Sequence, residues 1–215
     1  MAEHLFINEI FFSLQGESTR AGEPCVFVRL AGCDLRCVWC DTEYAFHDGR
    51  RISIEDIVER VDAYPTDLVE ITGGEPLLQE RVHLLVDRLL DRGKQVMMET
   101  GGHRDIGAVD HRVKLICDVK CPDSGMGAHN RWENLERLRP QDEVKFVLAS
   151  RADYEWARGQ VRARRLHERN PVLFSPVWAT LAPRDLADWI LADGLPVRMQ
   201  LQLHKILWGP DARGV

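Results

Sequence analysis

The 215-residue chain carries 28 Lys and Arg against 34 Asp and Glu, a formal net charge of −6, which speaks against a general nucleic-acid binder with its basic balance. The length predicts a single domain over residues 1–215 with a sizeable core, no apolar run approaches the ~20 residues of a bilayer span, and Met1-Ala-Glu-His-Leu-Phe-Ile7 lacks the pattern of a secretory signal. Six cysteines in such a chain argue for metal rather than disulfides, and a cytoplasmic location is expected.

Ile7-Asn-Glu-Ile-Phe-Phe-Ser13 is β-branched and aromatic and predicts a short strand, followed by a polar loop, Leu14-Gln-Gly-Glu-Ser18. Pro24-Cys-Val-Phe-Val-Arg-Leu-Ala31 is near-continuously apolar, as a strand buried on both faces should be. Arg29 interrupts that run. A buried arginine needs an anionic partner, so Arg29 is either half of a structural ion pair or a clamp for a ligand carboxylate. Ser53 then caps a helix that runs to about Tyr64, where Pro65 ends it. Asp67–Thr72 is the next strand and leads into Gly73-Gly-Glu-Pro76. Over Leu77–Arg92, Val82, Leu85 and Leu89 share one helical face, with Gly93 as the stop. Gln95–Thr100 and Val113–Lys120 are strands, leading into Gly101-Gly102 and Cys121-Pro-Asp-Ser-Gly125. A short helix over Asn130–Leu138, a strand over Glu143–Ala149, a charged helix over Arg151–Arg169 and a strand over Val172–Phe174 follow. Pro183 and Gly194 bracket another helix. Val197-Arg-Met-Gln-Leu-Gln-Leu-His204 alternates and predicts the last strand, before a tail of residues 205–215.

Strands alternating with helices indicate βαβ units and a parallel sheet. A complete eight-fold barrel takes about 250 residues, and this chain offers about six core steps, some with abbreviated helices. The expected fold is therefore α/β, an incomplete (β/α)6-type barrel open at its side, with its chemistry at the C-terminal ends of the strands.

Cys33, Cys37 and Cys40 lie three and then two residues apart, on an irregular loop after a hydrophobic strand. Thiolates so placed converge on one inorganic centre. A structural zinc site closes its shell with four protein ligands; three thiolates on a 4Fe–4S cubane leave one iron open to an outside ligand. A zinc loop borrowing His47 and a chance grouping of buried thiols are the plainer readings. Cys25, Cys117 and Cys121 read as small buried hydrophobes. Two glycines before Glu75 let backbone approach a ligand closely, and Glu75 can accept from an ammonium. Trp39 is either an adenine neighbour or an ordinary loop aromatic. Asp118 and Lys120 share one side of a strand end and are either a ligand grip or a solvated ion pair.

The Cys-x3-Cys-x2-Cys spacing, with Trp39 before its last cysteine, resembles the signature of the radical S-adenosylmethionine (SAM) enzymes, and Gly73-Gly-Glu-Pro76 resembles their SAM-binding GGEP segment. The resemblance implies the partial barrel, a 4Fe–4S cluster on Cys33, Cys37 and Cys40, and SAM held by Trp39, Cys40, Asp41, Gly74, Glu75, Asp118 and Lys120. One electron from the cluster would cleave SAM to a 5′-deoxyadenosyl radical. Leu14-Gln-Gly-Glu17, Arg29, Cys40-Asp-Thr42, Ile71-Thr-Gly-Gly-Glu-Pro76, Glu99-Thr-Gly101 and Gln202-Leu-His-Lys205 together are similar to one subfamily, the 7-carboxy-7-deazaguanine synthases.

That likeness implies conversion of 6-carboxy-5,6,7,8-tetrahydropterin to 7-carboxy-7-deazaguanine with loss of ammonia, in 7-deazapurine (queuosine) biosynthesis. The radical takes hydrogen from C6, the ring contracts, and hydrogen returns, so SAM acts catalytically. Backbone of Leu14, Gln15 and Gly16 with the Glu17 carboxylate would read the pterin edge, Arg29 would clamp its carboxylate and Thr72 would bond it. His204, Pro210 and the tail would close over it. Thr42, otherwise a helix cap, would ligate Mg2+. No general base is evident. The implied partners are a flavodoxin- or ferredoxin-type reductant and a second copy of the chain in a homodimer, with no membrane or nucleic acid. The rivals are a glycyl-radical activating enzyme, which needs an open groove and no small-molecule clamp, and a non-catalytic Fe–S or zinc module.

Overall fold

The computed structural model describes residues 3–215; the reading of the N-terminus as free of a signal begins on Met1 and Ala2, which lie outside the described residues. Strands β1 (His4–Leu14) and β2 (Pro24–Leu30) form an antiparallel hairpin, and β3 (Arg50–Ser53) pairs on the far edge of β1. From β2 the sheet continues in parallel through β4 (Leu68–Gly73), β5 (Gln95–Thr100), β6 (Lys114–Val119), β7 (Glu143–Leu148), β8 (Val172–Pro176) and a short β9 (Arg198–Met199). The spatial order is β3-β1-β2-β4-β5-β6-β7-β8-β9, with β3 and β9 at two free edges. The barrel is incomplete and laterally open, as expected. Helices α1 (Ile54–Asp62), α2 (Val82–Asp91), α3 (Glu133–Arg137), α4 (Arg151–Ala163) and α5 (Pro183–Asp193) occupy the connections, while the β5–β6 link runs as turns and bends.

The apolar strands alternate between two environments. On one face Val26, Val28, Leu30, Val69, Ile71, Val96 and Met98 pack on Ile57, Val61, Leu85 and Leu89 of α1 and α2. Val144, Phe146, Leu148 and Phe174 pack likewise on Tyr154, Val161 and Leu186 of α4 and α5. Each such fully buried side chain contributes about 1.5–3 kcal/mol. The opposite face is apolar at its base, where Cys25, Phe27, Leu68, Met97 and Ile116 form a separate cluster. Near the C-terminal strand ends the same parity delivers Arg29, Thr72, Glu70, Glu99, Asp118 and Lys145 instead. The helix-packed face supplies the fold's hydrophobic stabilisation, and the concave one holds the charges.

Three elements depart from the sequence reading. Arg50–Ser53 forms a strand too short and polar to announce itself, recruited by four registered pairs with β1; Ser53 also caps α1, its Oγ accepting from Asp56 N at 3.1 Å. The charged helix expected over 151–169 ends at Ala163, because Arg165 takes a left-handed φ of 52° before a 3-10 turn at Leu166–Glu168. The strand expected over 197–204 lasts only through Arg198–Met199, and Leu203–Trp208 is a helix, α6. Hydrogen bonding decides that break. Gln200 N still donates to Phe174 O at 3.0 Å, but Leu203 N turns to Gly16 O at 3.0 Å.

Candidate active site

The C-terminal strand ends open onto one cavity of about 570 Å³. The residues that the family resemblance implies as ligands all line it: Cys33, Cys37, Cys40, Trp39, Asp41, Thr42, Gly74, Glu75, Asp118 and Lys120 for the cluster, SAM and metal, and Leu14, Gln15, Gly16, Glu17, Arg29, Thr72, His204 and Pro210 for the substrate.

The cysteine loop is tied to its neighbours by backbone. Gly32 N donates to Ala45 O at 2.8 Å, Glu75 N to Gly32 O at 2.9 Å and Val38 N to Ser124 O at 3.1 Å. Beside Cys33, Asp34 accepts from Arg104 and lies 2.7 Å from His103 Nε2. The three cysteines are half-buried free thiols. Burial pushes the Cys33 and Cys37 thiols up. His47 sits outside this cavity, in a separate depression beside Asp48. Among the described residues no three Cys, His, Asp or Glu side chains converge on a point suited to a single metal ion. His47 thus does not stand with the three thiols as a fourth ligand.

Gly73 and Gly74 make the contact between β4 and this loop. Gly73 has φ 143°, and a Cβ there would stand 2.2 Å from Leu30 O; at Gly74 it would stand 2.2 Å from Gly32 O and 2.7 Å from the Cys33 Cβ. Only glycine fits either position. Glu75 is fully buried and accepts from Leu77 N (3.0 Å), Thr100 Oγ1 (2.9 Å) and Gly101 N (2.9 Å). It organises the turn as well as facing the cavity. Lys120 Nζ donates to Asp118 Oδ2 at 2.7 Å. Burial alone would lower Lys120; the negative groups around it, Asp118 foremost and Glu99 among them, together hold the ammonium above its ordinary range. Asp118 Oδ1 is buried without a partner. An orphaned acceptor on the wall of this cavity fits a bound hydroxyl- and amine-bearing group such as SAM.

Arg29 is an ion pair and remains a candidate clamp. Its Nε donates to Glu9 Oε1 at 2.8 Å, Tyr44 OH reaches the same oxygen at 3.1 Å, and its guanidinium lies 5.9 Å from the Phe11 ring centre. The backbone of the Leu14–Glu17 loop is partly committed. Gln15 N donates to Glu23 O, Gly22 N donates to Gln15 O, each at 2.8 Å, and Gly16 O accepts from Leu203 N. The Gln15 side chain donates to Glu70 and accepts from Glu17 N at 3.1 Å. Thr42 precedes the 3-10 turn Glu43–Phe46 but makes no side-chain cap bond. Its hydroxyl faces the cavity, 3.8 Å from the Cys40 Sγ. Beyond α6, residues 210–215 also line the cavity, with Arg213 3.9 Å above the Tyr44 ring.

The sequence reading missed a buried polar array under this loop. Lys145 pairs with Glu17 and, at 2.7 Å, with Glu99, and Glu70 binds Gln15. Burial, then the Glu99 charge, raises the Glu70 carboxyl to about 8, and burial raises Glu99 too. Burial would lower Lys145, but Glu17 and Glu99 hold it well above its usual value. Burial also lowers His204, favouring its neutral imidazole. Glu70 and Lys145 each interrupt an apolar strand as Arg29 does, and that signal would have found them.

The sequence model of the Radical SAM superfamily matches residues 28–148. Proteins named 7-carboxy-7-deazaguanine synthase are 48% identical in Koribacter versatilis over 97% of this chain and 99% of the relative. The Chlorobaculum tepidum protein of that name is 50% identical over 98% and 97%. A crystal structure of QueE from Escherichia coli superposes with TM-score 0.79 at 24% identity, over 94% of this chain and 95% of that one, and shares the fold.

Proposed function

The chain belongs to the radical SAM superfamily and, within it, to the 7-carboxy-7-deazaguanine synthases, and from that premise we propose how its residues divide the work. It is a carbon–nitrogen lyase that converts 6-carboxy-5,6,7,8-tetrahydropterin to 7-carboxy-7-deazaguanine and ammonia, in 7-deazapurine (queuosine) biosynthesis. Full-length likeness to synthases of that name disfavours a glycyl-radical activating enzyme or a binding module.

The 4Fe–4S cluster and SAM supply one-electron radical chemistry when bound. In our reading Cys33, Cys37 and Cys40 hold the cluster, while Gly74, Glu75, Asp118 and Lys120, with Trp39 and Asp41, hold SAM. Glu17 and the loop Leu14–Gly16 read the flat pyrimidinone edge of the pterin. Arg29 has guanidinium nitrogens left beyond its Glu9 contact and orients the carboxylate; a planar fork matches that group. Thr72 and His204 bond the ring, and Pro210 with the following residues limits water. Mg2+ takes few protein ligands and keeps waters and substrate oxygens, so the Thr42 hydroxyl, which makes no cap bond, suits it.

A flavodoxin- or ferredoxin-type protein would deliver the electron. A homodimer would cover the exposed apolar side chains Ile206, Leu207 and Trp208. Among the described residues no helix is long and apolar enough to cross a membrane, and we place the enzyme in the cytoplasm.

The observation that carries this reading is the meeting of the three cysteines, the glycine turn and the Arg29 side of the pterin loop on one cavity. The test is anaerobic reconstitution with iron and sulfide, reduction with dithionite, and addition of SAM, Mg2+ and the pterin. Deazaguanine in excess of 5′-deoxyadenosine is the expected result. SAM cleavage without deazaguanine would refute the substrate.

A further inference from the structure

Segment 200–205 touches the two halves of the cavity at once. On the pterin side, Gln200 Oε1 accepts from Ser18 N at 2.8 Å, Gln200 Nε2 donates to Glu17 Oε2 at 3.2 Å, and Leu203 N donates to Gly16 O at 3.0 Å. On the cluster side, Lys205 Nζ donates to Asp41 Oδ2 at 2.7 Å, and Asp41 directly follows Cys40. Gln202 does both. Its single Nε2 lies 3.0 Å from Glu17 Oε1 and 3.2 Å from Asp41 Oδ2. Lys205 is 8% exposed and its ammonium pairs with Asp41, while the Glu17 carboxylate pairs with Lys145, so each carboxylate that Gln202 bridges has a cation of its own. Gly16 completes the fit: a Cβ there would stand 2.4 Å from His204 Nδ1.

We propose that Gln202 and Lys205 are positioning residues that yoke the pterin-reading loop to the cluster loop, so that seating of the pterin and placement of the SAM-bearing loop are set together. The proposal rests on the reaction assigned above. In that reaction the radical has to meet the substrate carbon in register, and misplacement of about 1 Å costs on the order of a hundredfold. An enzyme that returns its hydrogen and re-forms SAM needs this register twice per turnover. A yoke between the two binding loops is a direct way to hold it, and it puts the cost of its loss on coupling rather than on cluster assembly.

The yoke is tested with reconstituted Lys205→Met, Gln202→Leu and Lys205→Arg proteins, each supplied with SAM, Mg2+, dithionite and the carboxypterin. Lys205→Met and Gln202→Leu should release more 5′-deoxyadenosine per deazaguanine than wild type and lose about tenfold or more in kcat/KM for the pterin, the loss of a charge-assisted hydrogen bond. Their cluster absorption should match wild type, and Lys205→Arg should restore coupling. Wild-type partition in both variants would overturn the yoke, as would loss of the cluster in both, which would make the contact a mere fold element. The wild-type control separates the two proposals. Product from wild type with unaltered partition in the variants sinks the yoke alone, whereas no product from wild type removes the assigned reaction and the yoke with it.

Discussion

Arg29 on β2 stands directly opposite Glu9 on β1, and its Nε donates to Glu9 Oε1 at 2.8 Å. The pairing depends on an irregularity between Ile7 and Glu9, where two steps along β1 match one along β2, from Leu30 to Arg29. A bulge of this kind re-aims a side chain. Here it brings a carboxylate to the one arginine in an otherwise apolar strand, and leaves the rest of the guanidinium toward the cavity.

This arrangement predicts a selective defect. Arg29→Met should raise KM for the carboxypterin about ten- to a hundredfold, as removal of a charged hydrogen-bond partner does, and leave SAM binding near wild type. Glu9 keeps Tyr44 as a donor, so the protein should still fold. Initial rates at varied pterin and fixed SAM, with SAM affinity measured separately, check this. An unchanged pterin KM would reduce Arg29 to a structural ion pair.

The Glu70 carboxyl predicts an unusual pH response. Burial and the charges of Glu99 and Glu17 raise it to about 8, against opposing effects of Gln15 and Lys145. A group whose proton is held more tightly in the folded state gives stability that is complete below its unfolded value near 4.5 and is lost as pH rises through about 8. Glu70→Gln keeps the hydrogen-bonding shape of the neutral acid and has no proton to lose. Its unfolding midpoint should gain on wild type steadily between pH 5.5 and 8.5, as urea titrations at each pH would show. A constant difference across that range would mean that Glu70 titrates as an ordinary carboxylate.

The sequence revealed the fold and the two sides of the site because both write locally. Near-continuous apolar strands, glycines after strands and closely spaced cysteines each state their physics within ten residues. The links between them do not. Glu9 looks like an ordinary strand position until the irregularity beside it sets the register. Gln202 reads as the polar half of an alternating strand, and its partner Asp41 lies 161 residues away. Lys145 and Glu70 were visible as charges in apolar strands, but their mutual compensation through Glu99 and Glu17 depends on how β4, β5 and β7 are ordered in space.

Thr42 illustrates the same limit and carries the last prediction. By position it is the cap of a short helical turn, and a threonine there usually accepts a backbone hydrogen bond. In the structure its hydroxyl makes no such bond and faces the cavity instead. A cap lost from so short a turn would cost about 1 kcal/mol, but this cap is not formed, so Thr42→Val should leave the melting temperature and the cluster spectrum unchanged. If the hydroxyl ligates Mg2+, the variant should lose most of the Mg2+ stimulation of deazaguanine formation while still cleaving SAM. Activity titrated with Mg2+ in wild type and Thr42→Val distinguishes the outcomes: parallel curves would remove Thr42 from the metal site, and a flat curve only in the variant would keep it there.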